Sequence, residues 1–93
     1  MSSALPLIKE QRREMRRIAQ GAVMVRFDAP QPFVIHGRLV DVSGAGFRMA
    51  HEYRNLEAGQ TVDFSHGEAA GRAKVVWNRI TSQRVETGFL VVA

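Results

Sequence analysis

Two clusters of polar residues stand out by type and spacing. The first is a doubled arginine step, Arg12-Arg13-Glu14-Met15-Arg16-Arg17, in which Arg12 and Arg16, and likewise Arg13 and Arg17, stand four apart. A guanidinium is a planar fork of donors that fits phosphate oxygens and can lie flat on an aromatic face. The second is Asp41-Val42-Ser43-Gly44-Ala45-Gly46-Phe47-Arg48. Its carboxylate accepts hydrogen bonds, and its hydroxyl can donate or accept. Gly46 permits a close backbone approach or a positive φ, and Arg48 adds a cation. The chemistry on offer is the holding of an anion with polar groups on the side, not the making or breaking of bonds.

The rest of the inventory agrees. His36, His51 and His66 are fifteen residues apart, with no HxxxH-type spacing, so no metal ligands are expected. Ser43 lacks the GxSxG context of an activated nucleophile. The glycines of residues 44–46 suggest a dinucleotide fingerprint, but its third glycine would fall at Met49, and strand rather than helix follows. There is no GK[ST] of a P-loop and no carboxylate pair in an acid–base motif. No catalytic residue and no cofactor are expected; the chain reads as a binding protein and not an enzyme.

Composition sets the setting. The 93 residues make one domain, too small for a deep cleft between lobes, so a site must lie on its outside or on an arm. Net charge is +4, and eleven of the thirteen basic residues are arginine. The absence of cysteine favours the cytoplasm over secretion. Met1–Ile8 lacks a basic n-region and does not read as a signal peptide. No apolar run approaches the roughly 18 residues of a membrane span, so no membrane insertion is expected.

The elements that must carry the clusters follow from periodicity. Residues 9–19 contain good helix formers, but like charges four apart repel in a helix. Residues 1–21 are therefore read as a flexible basic arm, and 22–93 as the folded body. From Ala22 the period becomes two. Val23, Val25 and Phe27 share one face of a first strand. Phe33, Ile35 and Leu39 share a face of a second over 33–42, where Gly37 suggests a bulge. Strands follow at Phe47–Ala50 and 61–65, then at 72–78, with Ala73, Val75 and Trp77 on one face, and over the final VETGFLVV. About six short strands separated by turns predict an all-β fold, a small six-stranded antiparallel β-barrel.

RxxxR near the N-terminus, followed after 24 residues from Arg17 by DxSxxG, in a chain of short strands, resembles the PilZ domain. The tail GRAKVVW…ETGFLVV is similar to the late strands of that family, so the resemblance covers nearly the whole chain. It implies a β-barrel that binds cyclic di-GMP through Arg12, Arg13, Arg16, Arg17, Asp41, Ser43, Gly46 and Arg48. Arg13 and Arg17 match the family pair best, because Ile18 then takes the apolar position after it; Arg12 and Arg16 are the alternate register. Arginine at position 12, just before the pair, implies two ligand molecules per domain. The chemistry is compatible. Guanine offers N7 and O6 to arginine, and its N1–H and amine suit a carboxylate such as Asp41.

The function so implied is a second-messenger sensor and adaptor. Ligand charge relieves repulsion along the arm, and the arm's new position is read by a downstream protein partner. A ligand-independent PilZ-like adaptor is the alternative. A small basic RNA-binding barrel is disfavoured, because it needs several stacking aromatics on one face, and Phe27, Phe33, Phe47, Tyr53, Phe64, Trp77 and Phe89 fall mostly on apolar faces. No nucleic-acid partner is expected.

Overall fold

The computed structural model describes residues 16–92, and all its regular elements are strands. They are β1 (Arg16–Ile18), β2 (Ala22–Phe27), β3 (Phe33–Ser43), β4 (Gly46–His51), β5 (Thr61–His66), β6 (Ala69–Ile80) and β7 (Val85–Val92). Neighbouring strands pair antiparallel in the order β1-β3-β2-β5-β6-β7-β4, and β4 returns to β3. The last pairing closes a six-stranded barrel of β2 to β7, as the alternation predicts, with β1 added beside β3.

The period-two pattern sets the inside. Val23, Val25, Phe27, Ile35, Leu39, Phe47, Met49, Val62, Phe64, Val75 and Phe89 fill the barrel. Each contributes about 1.5–3 kcal/mol by leaving water. Phe47 stacks on Phe89 at 4.7 Å between centroids. The connection 52–60 closes one end by inserting Leu56.

Three local expectations are corrected. Phe33 stands at the rim, 43% exposed, against Phe27 and Tyr53 rather than beside Ile35 in the core. The irregularity of β3 lies between Leu39 and Asp41, not at Gly37. Gly37 is required for another reason: a Cβ there would run into the Ala50 carbonyl of β4 and the end of Met49. In β6 the register shifts between Val75 and Trp77. The extra residue reverses the alternation, so Ala73 and Val75 point inward while Trp77 points outward, opposite Gly88.

β1 occupies residues expected to belong to the arm. It continues the line of β2 after a break at Gly21, whose φ is +118°. β2 pairs with the first half of β3, and β1 pairs with its end, Arg16 opposite Ser43 and Ile18 opposite Asp41. Arg16 and Arg17 each meet a carboxylate brought from elsewhere in the fold, Asp41 and Glu68.

Candidate functional site

The sheet register assembles the site in one transverse row. Ile18 stands opposite Asp41, Asp41 opposite Arg48, Arg48 opposite Gly88, and Gly88 opposite Trp77. Residues facing each other across a pair of strands share a side of the sheet. Their neighbours Val42, Phe47 and Phe89 are in the core, so the row lies on the outside. The next row, toward the barrel mouth, holds Arg16 beside Ser43 and Gly46 beside Leu90.

Asp41 is the centre of this surface. It is only 5% exposed, and both its oxygens are taken. Arg16 Nε donates to Oδ1 at 3.0 Å, and its terminal nitrogen lies 2.9 Å from the same oxygen. Arg48 Nε donates to Oδ2 at 2.9 Å, and a second Arg48 nitrogen reaches the same oxygen. Burial pushes the Asp41 carboxyl up, but the hydrogen bonds from Arg48 and Arg16 outweigh it and hold its pKa below the ordinary value. The bond to Asp41 in turn raises Arg48, against burial. The group is an ionised Arg–carboxylate–Arg triad.

Ser43 holds the β3–β4 turn. Its Oγ accepts from the N–H groups of Gly46 at 3.2 Å and Ala45 at 3.3 Å, and Arg16 Nη1 reaches it at 3.4 Å. The hydroxyl thus ties the turn to the arginine. Gly46 has no positive φ. It is needed because β7 passes close by: a Cβ would lie 3.0 Å from the Phe89 carbonyl carbon and 3.2 Å from Leu90 Cα.

Alternation along β1 separates the two arginines. Arg16 faces Asp41 and Ser43, whereas Arg17 turns across the barrel mouth to Glu68, donating at 3.2 Å through Nη1. The structure therefore brings Arg16, Asp41, Ser43, Gly46 and Arg48 together and sends Arg17 elsewhere. Arg12 and Arg13 lie outside the described residues.

Arg16, Ser43, Gly46 and Arg48 line an open groove of about 330 Å³, at the lower end of the range for small-molecule sites, and the buried Asp41 lies behind the two arginines that it holds. Its far wall is Trp77, with Val76 and Leu90 beside it. The indole lies on Gly88, where a Cβ would come within 2.9 Å of Trp77 Cζ2. Arg79 sits over the ring, 5.9 Å from its centroid. Trp77 is the wall that sequence reasoning missed. The signal for it was joint, a tryptophan and a glycine placed to meet across the last hairpin, and it is visible only once the β6 irregularity is known. Among the described residues, no group of three His, Asp or Glu side chains is arranged to hold a metal ion.

No family model matches the chain, and no curated protein matches it.

Proposed function

We propose that this chain is a cyclic di-GMP receptor of the PilZ type, which binds the messenger without chemical turnover and signals by rearranging its N-terminal arm for a partner protein. The observation that carries the reading is the convergence of Arg16, Ser43, Gly46 and Arg48, from the two sequence clusters, on one groove walled by an indole, with Asp41 holding the two arginines from behind. Two arginine forks supply phosphate and guanine contacts. The Asp41 carboxylate supplies an acceptor for a guanine N1–H and amine, and Trp77 a flat apolar surface. Without ligand, Arg16 and Arg48 neutralise Asp41. Ligand phosphates draw these forks away while guanine donors replace them on the carboxylate, so Arg16 and the chain leading into it change position. With Arg16 as the site's arginine the pair is Arg12 and Arg16, the residue before it is Gln11, and the expectation of a second ligand, which rested on Arg12 in that place, does not carry over.

The aromatics Phe27, Phe47, Phe64 and Phe89 are buried, which counts against a nucleic-acid platform. The test is calorimetry with cyclic di-GMP, using GTP and an oligonucleotide as controls, together with the emission of Trp77, the single tryptophan. Saturable, selective binding with a change in emission is expected. Arg16→Ala should weaken binding about ten- to hundredfold, the worth of a charge-assisted contact, and Arg17→Ala, which loses only the pair with Glu68, distinctly less. No heat and no emission change would refute the function. Equal losses from both variants would refute the division of labour between the arginines.

A further inference from the structure

The outer face of β3-β4-β7-β6 is charged in a way the groove does not account for. From these strands it carries Arg38, Arg48, Lys74 and Arg79, from the β6–β7 turn Arg84, and from the adjoining β1 Arg16. Two of its carboxylates, Asp41 and Glu86, are buried, at 5% and 8% exposure, and one, Glu52, is exposed at its lower edge, so the arginines and lysine leave the charge facing solvent positive. The face across the barrel, on β2 and β5, is balanced instead: Arg26 pairs with Asp28 and Asp63, and Arg72 lies 3.9 Å from Asp63.

Below the groove a second triad repeats the first. Arg79 donates to Glu86 Oε1 at 2.8 Å, and Arg84 to Oε2 at 2.5 Å. Each arginine uses one terminal nitrogen, so most of its five donors remain free. Arg38 stands in the same row, opposite Ala50, which stands opposite Glu86 and then Arg79. Among the described residues Arg38 has no ion pair. An open groove of about 570 Å³ runs between Arg38 and Arg84 over Ala50, with Glu52 and His36 at its rim.

We propose that this lower half of the face docks an acidic segment of a partner protein. An extended peptide fits the spacing. Arg38 and Arg79 are three strand intervals apart, about 14 Å, and carboxylates four residues apart on an extended chain are about 13 Å apart. Ala50, at the centre of the row, leaves room for a backbone. The lower half presents no exposed aromatic row on which bases could stack, which argues against single-stranded nucleic acid. The proposal does not depend on what occupies the upper groove.

The test uses the full chain with capped hexaglutamate as the probe and capped hexaserine as the uncharged control, read by NMR including arginine side-chain signals. Saturable shifts are expected on Arg38, Ala50, Arg79 and Arg84 with hexaglutamate alone. Arg38→Glu should weaken binding about fivefold, on the scale of an exposed ion pair. It removes no ion pair of the described residues, so folding is preserved. Arg79→Glu should weaken it as well, and Arg26→Glu, on the balanced face, should not. Absence of saturation, shifts confined to Arg16 and Arg48, or an equal loss from Arg26→Glu would overturn the proposal. So would binding to phosphatidylglycerol vesicles that Arg38→Glu abolishes while hexaglutamate has no effect. Cyclic di-GMP titrated into Arg38→Glu separates the two sites: failure there together with the parent, alongside intact peptide binding, removes the messenger reading and leaves the docking surface standing.

Discussion

Replacing Gly88 with alanine should expel the groove's aromatic wall. β7 is hydrogen-bonded to β4 on one side and β6 on the other, so its backbone cannot retreat. A Cβ at this position would stand 2.9 Å from Trp77 Cζ2 and closer still to the pyrrole edge. The indole is the mobile partner and must swing away. If that uncovers about a third of the roughly 150–250 Å² a tryptophan can bury, the loss is about 1–2 kcal/mol. For a domain of this size that corresponds to a fall in Tm of about 5–15 °C. The emission of Trp77 should shift to the red, and cyclic di-GMP should bind about tenfold more weakly if a base stacks on the ring. Gly71→Ala is the control, since a Cβ there meets Phe64 Cε1 at an ordinary 3.6 Å. Unchanged emission and Tm in Gly88→Ala would show that the indole does not rest on Gly88. A red shift with unchanged affinity would remove Trp77 from the binding site while leaving its packing as described.

Gly46→Ala should destabilise the barrel by about 1–3 kcal/mol in urea denaturation, because the added Cβ meets β7 backbone that cannot yield. Gly44→Ala, with nothing within 4 Å of its Cβ, should stay within about 0.5 kcal/mol; equal effects would refute the assignment of Gly46 to strand packing. Stability should also fall between pH 7 and pH 5.5. Burial pushes the pKa of His51 down, and that of the more exposed His66 in the same direction against the nearby Glu68, so the unfolded chain takes up protons before the folded one does, at about pH 6.5, and proton uptake at His51 favours unfolding by on the order of 1 kcal/mol per pH unit. The carboxyls of Asp41 and Glu86 are lowered and lose their contribution only below about pH 4, outside that window. An NMR titration placing His51 at or above 6.5, or a flat stability profile down to pH 5.5, would contradict this.

The same His51 shows where sequence reasoning reaches and where it stops. Its lowered pKa follows from burial, in a relay that no local pattern encodes. Tyr53 N–H donates to Nδ1 at 3.0 Å, Nε2 then donates to Thr87 Oγ1 at 2.7 Å, Thr87 donates to Asn78 Oδ1, and Asn78 Nδ2 reaches the Leu56 carbonyl at 3.3 Å. Four segments meet there, and only the barrel's closure brings them together. Alternation, by contrast, is local: Val23, Val25 and Phe27 declare their inward face within six residues, so the strands and the all-β barrel were legible. Alternation fails where its phase slips. Nothing in Val75-Val76-Trp77 marks an extra residue, and extending the period by one step puts Trp77 in the core when it forms the outer wall. Charge reasoning fails where the partner is distant. Like charges four apart, Arg12 with Arg16 and Arg13 with Arg17, argue against a helix, yet Asp41 lies 25 residues from Arg16 and Glu68 lies 51 from Arg17. Strand geometry sends the two side chains to opposite faces, each to its own carboxylate. The motif residues could thus be chosen from the sequence, but which arginine of the doubled step meets Asp41 is decided by the strand that the arginines form.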